Sequence, residues 1–207
     1  MKPMTSAYQN EQSETLGKVF PMIRSLATDT KDRLLVQCDA YLRFRRDVDV
    51  FLSGSFSNIC TRRCYENRRS ACCSREGIIT FFADMVINVL CSDGPDIDYL
   101  LSILAGEAKP GKCIYLGDDG CLWRIKPIVC QMFLCDRAKD QVFLENPSFE
   151  KDWKALETRR KQFTWPDKPT LFDDLERHFI DAGYTSPLMY MHNSPGLLRL
   201  KRKAGLA

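Results

Sequence analysis

Eight of the ten cysteines in this 207-residue chain fall into two clusters. Cys60, Cys64, Cys72 and Cys73 make the first; Cys113, Cys121, Cys130 and Cys135 make the second. Thiolates are soft ligands that suit zinc, Cu(I) and iron–sulfur clusters. In a reducing compartment such a gathering of thiols is expected to hold metal rather than disulfides. Cys60 and Cys64 enclose C-T-R-R-C, a spacing that fits a ligand knuckle or one helical turn. The side chains of adjacent Cys72 and Cys73 should diverge, one towards a metal and the other packed, unless two metals are present. Cys113 and Cys121 flank Gly-Asp-Asp-Gly, a turn signal that would bring them close in a small hairpin. Cys130 and Cys135 can face one centre only if the helix ends between them. Two four-ligand sites, one site with spare thiols and one multinuclear site all fit the count. The spacing favours one composite site that draws on both clusters.

The other two cysteines read differently. Cys38 sits on a helical apolar stripe and Cys91 ends a helix, and both are read as packed thiols of the core. His178 and His192 lie far downstream, and His178 is read as structural or surface. Arg62, Arg63, Arg68, Arg69 and Arg75 crowd the first cluster. The plain reading is a solvated basic loop. The chemical reading is compensation of an anionic metal–thiolate centre. A phosphate or nucleic-acid patch ranks last, because no aromatic interleaving accompanies the arginines.

Helices are expected to position these residues. Residues 1–14 are polar and expected to be loose. A weak amphipathic pattern from Glu14 to Thr28 is interrupted by Pro21, which suggests two short pieces. Asp32 to Leu52 repeats apolar residues at helical spacing, and Gly54 with its flanking serines should stop it. Ser53 to Arg75 reads as a loop. Glu76 to Cys91 reads as a buried helix whose apolar run is broken by Asp84 and Asn88, and Asp96 to Ala105 as a second, shorter one. Pro127 suits the first turn of a helix over P-I-V-C-Q-M-F-L-C. Phe149 to Phe163 and Thr170 to Ala182 read as helices separated by W-P-D-K-P. The fold expected is mostly α, with an irregular cysteine-rich middle segment, a small β-hairpin and flanking helices. It is read as a single domain over 1–207, with a metal-binding region at 55–136 and a helical C-terminal extension at 148–207.

Composition agrees with a packed domain. The chain is 44% hydrophobic and 28% charged, enough to bury a core. No run approaches a membrane span, and the N-terminus lacks an apolar h-region, so a cytoplasmic protein without a membrane is expected. A net charge of +3 is too mild to argue for nucleic acid. Four thiolates around one divalent cation would lower it to about +1.

The order C-T-R-R-C, then A-C-C, then C-I-Y-L, then G-C-L-W-R-I-K-P-I-V-C-Q-M-F resembles the YkgJ-like cysteine-cluster family, described as a zinc- or iron-chelating domain. The resemblance runs from about Cys60 to Cys135, somewhat over a third of the chain. It implies metal binding by Cys64, Cys72, Cys73, Cys113, Cys121 and Cys130. Cys60 fits as the opening cysteine, and Cys135 is kept on spacing alone. The first cluster is stretched here by an arginine-rich insert. Lys126-Pro127 replaces the usual Arg-Pro, and Trp123 is the usual aromatic.

The reading is a protein that binds zinc or iron, including an iron–sulfur cluster, with the centre organising the fold. Zinc is preferred, because nothing in the sequence points to electron transfer. Two alternatives stand beside it. A related cysteine motif in flagellin lysine N-methylases implies a methyl-transfer enzyme, although no G-x-G-x-x-G loop or radical-enzyme cysteine run is present. Cys72 and Cys73 beside the arginines also suit a thiol redox sensor or adaptor, with the basic tail Arg199, Lys201, Arg202 and Lys203 facing an acidic partner.

Overall fold

The computed structural model describes residues 6–67, 69–74, 79–107, 111–164 and 170–189. Arg68, Arg75, His192, the W-P-D-K-P linker and the basic tail lie outside the described residues. The fold is mostly α, and the irregular middle segment holds one small antiparallel hairpin.

Helix α1 (Ala7–Ser25) begins at a capping box. The Gln9 amide donates to Ser6 Oγ at 3.2 Å, and the Ser6 amide donates to Gln9 Oε1 at 3.0 Å. Residues 7–14 are therefore helical rather than loose. The polar residues that hid this helix are buried and partnered. Gln9 Nε2 donates to the carbonyls of Leu104 at 3.2 Å and Gly106 at 2.9 Å, and Thr15 meets Ser186 at 2.6 Å. Pro21 does not divide the helix, because Leu16, Val19, Met22 and Ile23 bury one stripe on both sides of it.

Helix α2 (Thr28–Phe56) outruns the expected span at both ends and passes through Gly54. It turns directly into a π-helical segment, Ser57–Tyr65, where a loop was expected. Helix α3 (Phe82–Cys91) starts later than Glu76, at the point where Asp84 Oδ2 accepts the Phe81 amide at 3.0 Å. Residues Phe82 to Val89 are all buried, so α3 is the central helix and packs on α1, α2 and the last helix of the fold. Helix α4 (Gly94–Leu104) packs on α1.

The hairpin pairs β1 (Leu116–Gly117) with β2 (Gly120–Cys121), matching Leu116 with Cys121 across a turn at Asp118 and Asp119. Gly120 sits at φ 118°, a conformation that L side chains rarely adopt. After it come α5 (Ile128–Gln131), α6 (Asp136–Glu145), α7 (Pro147–Thr164) and α8 (Leu171–Asp181). Pro127 is the N-cap of α5 rather than its first turn, and α6 had no sequence expectation. Helices α7 and α8 close over α2 through aromatic contacts. Tyr41 meets Phe163 and Phe172, each at 5.4 Å between ring centroids, and Phe51 stacks on Trp153 at 5.9 Å. Among the described residues, no helix is long and apolar enough to cross a membrane.

Candidate metal centre

The π-helical segment ends α2 by widening its hydrogen bonds, as in the Glu66 amide donating to the Thr61 carbonyl at 2.9 Å. It carries Cys60 and Cys64. The chain then folds back on Cys64. The Arg69 amide donates to the Cys64 carbonyl at 2.9 Å, and the Ala71 amide donates to Cys64 Sγ at 3.4 Å. Ser70 takes a positive φ of 38° and lets the Cys73 amide reach its carbonyl at 3.0 Å. This turn presents Cys72 and Cys73.

The turn is joined to the second cluster through the backbone. The Cys113 amide donates to the Cys73 carbonyl at 2.9 Å, and Ser74 bridges Lys112 in antiparallel fashion. Lys112 Nζ also donates to the Arg69 carbonyl. The hairpin then carries Cys121, and the Tyr65 hydroxyl donates to the Asp118 carbonyl at its turn. Cys130 lies in α5, and Cys135 is the N-cap residue of α6. The helix ends at Gln131, so the condition for these two thiols to face one region is met.

Helix α3 holds the segment that bears Cys130. Asn88 Oδ1 accepts the Ile125 amide at 2.9 Å, and Asp84 Oδ1 accepts the Ile128 amide at 3.0 Å. Arg45 of α2 holds it from the other side, donating to the Lys126 carbonyl at 2.6 Å, to Gln131 and to the Tyr41 hydroxyl at 2.8 Å. The sequence signal was present, since Asp84 and Asn88 are the two residues that interrupt an apolar run, one helical turn apart. Arg45 and Gln131 left no comparable trace.

None of the ten cysteines forms a disulfide. Cys38 is fully buried, and Cys91 is near enough to act on it electrostatically, so both belong to the helical core. The other eight rim two adjoining cavities. A cavity of about 660 Å³ is bordered by Cys60, Cys72, Cys73, Cys113, Cys121 and Cys130. A second, of about 180 Å³, is bordered by Cys60, Cys64, Cys72, Cys73 and Cys135, together with Arg63, Arg69 and Arg137. All eight sequence-designated thiols are thus brought together around one region. They stand apart along its walls: among the described residues, no three Cys, His, Asp or Glu side chains are drawn tightly enough to hold an ion. His178 is on α8, stacked edge-on with Phe179.

The thiols perturb one another. Burial pushes Cys130 up to about 12, with Asp84 and two neighbouring thiols adding to it. Burial pushes Cys60 up to about 11, with Cys72, Cys135 and Cys64 adding. Burial also raises Cys121. Cys72 and Cys73 do not diverge as expected. The Cys72 thiol donates a hydrogen bond to Cys73, which raises Cys72 strongly and lowers Cys73. Clustered buried thiols hold their protons at neutral pH unless a cation replaces them.

Backbone amides are aimed at three of the sulfurs: Ala71 at Cys64, Trp123 at Cys121 and Ile79 at Cys130. Such amide–sulfur bonds stabilise thiolate and tune a bound metal. The chain matches no family model, no curated protein and no solved structure.

Proposed function

We propose that this chain is a metal-binding protein of the cysteine-cluster type, resembling the YkgJ-like family, with a thiolate centre that organises the middle of the fold. One observation carries the reading. Eight thiols from the π-helical segment, the following turn, the hairpin, α5 and the α5–α6 junction rim one pair of joined cavities, while the two remaining thiols are packed among helices. The segments that bear them are short and come from separate stretches of the chain, and a bound ion would cross-link them.

Zinc is the ion this donor set suits best. Four thiolates satisfy its tetrahedral preference and leave no open position for substrate. Its four ligands would be drawn from Cys60, Cys64, Cys72, Cys73, Cys113, Cys121, Cys130 and Cys135. The bound metal would stabilise fold and thiolates, and the chain's own amides would orient the sulfurs. Free thiols of this kind persist in a reducing compartment, and a cytoplasmic setting suits them.

The test is thermal unfolding of the full chain with and without a strong chelator under reducing conditions. Chelation should lower Tm by more than 5 °C, and zinc should restore it. An unchanged Tm, with no metal recovered in the chelator, would refute the reading.

A further inference from the structure

Three arginines from three stretches of the chain border the smaller cavity, of about 180 Å³. Arg63 stands on the π-helical segment, Arg69 on the turn that follows and Arg137 in the first turn of α6. Among the described residues, no aspartate or glutamate borders this cavity. Several surface cations elsewhere are paired: Lys18 with Glu14 at 2.8 Å, Arg43 with Asp39 at 2.7 Å and Arg159 with Asp47 at 2.8 Å. Among the described residues, Arg63, Arg69 and Arg137 have no carboxylate within ion-pair reach.

Exposed cations alone make an ordinary solvated face. Here they surround an apolar wall that includes Ile59, Leu134 and Ala138. Phe133 borders the same cavity and is 50% exposed, although Met132 and Leu134 on either side of it are buried. Phe133 lies far from Arg63 and Arg69 in the sequence, and folding brings its ring to them. A ring held half in water beside guanidiniums offers a face to a planar group.

We propose that the smaller cavity binds a small organic phosphate, a monoester whose phosphate meets Arg63, Arg69 and Arg137 and whose ring or apolar body lies against Phe133. The choice of anion follows from charge. A phosphate monoester carries nearly two negative charges at neutral pH, and its terminal oxygens accept the paired N–H groups of guanidinium forks. A carboxylate carries one charge and leaves most of the three cations uncompensated. The size of the ligand follows from the cavity, which is smaller than the ~300 Å³ at which drug-sized sites begin. The inference goes beyond the metal-binding reading and does not depend on it, because arginine and aromatic side chains carry it rather than thiols.

The test is calorimetric titration of the full chain, as purified under reducing conditions, with phenyl phosphate, inorganic phosphate and benzoate. Phenyl phosphate should bind with a dissociation constant below about 1 mM. Inorganic phosphate should bind about threefold or more weaker for want of the ring, and benzoate about tenfold weaker. Arg63→Gln, Arg69→Gln and Arg137→Gln should each weaken phenyl phosphate about tenfold, and Phe133→Ala about threefold. These four side chains are exposed, so helical circular dichroism should not change. Arg33→Gln, on an exposed arginine paired with Asp29 away from the cavity, should leave the affinity as it is. No binding of phenyl phosphate, benzoate bound as tightly, or an equal loss in Arg33→Gln would overturn the inference. Metal content measured on the same samples separates the two readings. Bound metal without phenyl phosphate binding overturns this site alone, and phenyl phosphate binding without metal overturns the metal centre alone.

Discussion

The backbone amide of Ile128 donates a 3.0 Å hydrogen bond to Oδ1 of Asp84, a buried carboxylate in the first turn of the central helix. Through it, helix α3 fixes the short α5 turn that presents Cys130. The same carboxylate accepts the Phe81 amide, so one side chain starts α3 and orients α5 together.

Burial pushes Asp84 up to about 6 from a reference of 3.8, although Arg45 and its two amide donors pull the other way. The folded state therefore binds this proton more tightly than the unfolded chain does. Its contribution to stability is fully present below about pH 4 and is lost as pH rises to about 6. Asp84→Asn should flatten that slope. The wild-type-minus-variant difference in unfolding free energy should change by about 2 to 3 kcal/mol between pH 4 and pH 7. Urea titrations across this range check it, and a difference independent of pH would contradict it.

Arg45 is buried and donates to Gln131, Tyr41 and the Lys126 carbonyl. Arg45→Met keeps the apolar volume but leaves these acceptors without their donor. It should cost about 3 kcal/mol or more. It should also raise the Asp84 pKa further, because Arg45 lowers it in the wild type. Denaturant unfolding and carboxyl NMR titration report the two effects separately.

These two residues show what the sequence did and did not disclose. Short spacings in the sequence singled out the eight thiols that rim the joined cavities, and the Gly-Asp-Asp-Gly turn placed the hairpin. Asp84 and Asn88 were visible only as interruptions of an apolar run. The start of α1 was hidden because its inward face uses Gln9, Gln12 and Thr15, which hydropathy counts as surface. The π-helical segment was hidden because Gly54 and its serines signal a stop. The helix instead continues at its buried end, where Phe56 packs against Phe51 and Phe143. Long-range packing decided both cases, and periodicity cannot see it.

The hairpin depends on Gly120, at φ 118° immediately before Cys121. Gly120→Ala should destabilise the fold by about 1 to 3 kcal/mol. Because Cys121 moves with the turn, zinc affinity should fall at least tenfold. Competition with a chelator of known affinity measures this, and unchanged affinity would separate the hairpin from the centre.

Cys91 provides the opposite control. It is half-buried beside Cys38, away from both cavities. Cys91→Ala should cost about 1 kcal/mol by lost packing and leave the metal content unchanged. A lower metal content would show that the core thiols take part.

Metal content measured together with thiol accessibility tests the central claim most directly. Protein purified without oxygen and without added chelator is analysed for zinc and iron and then titrated with a thiol reagent under native conditions. Bound zinc is expected, with no broad visible absorption and with protection of Cys60, Cys64, Cys72, Cys73, Cys113, Cys121, Cys130 and Cys135 that chelator abolishes. Protein without metal, with these eight thiols reacting at the same rate before and after chelation, would contradict it.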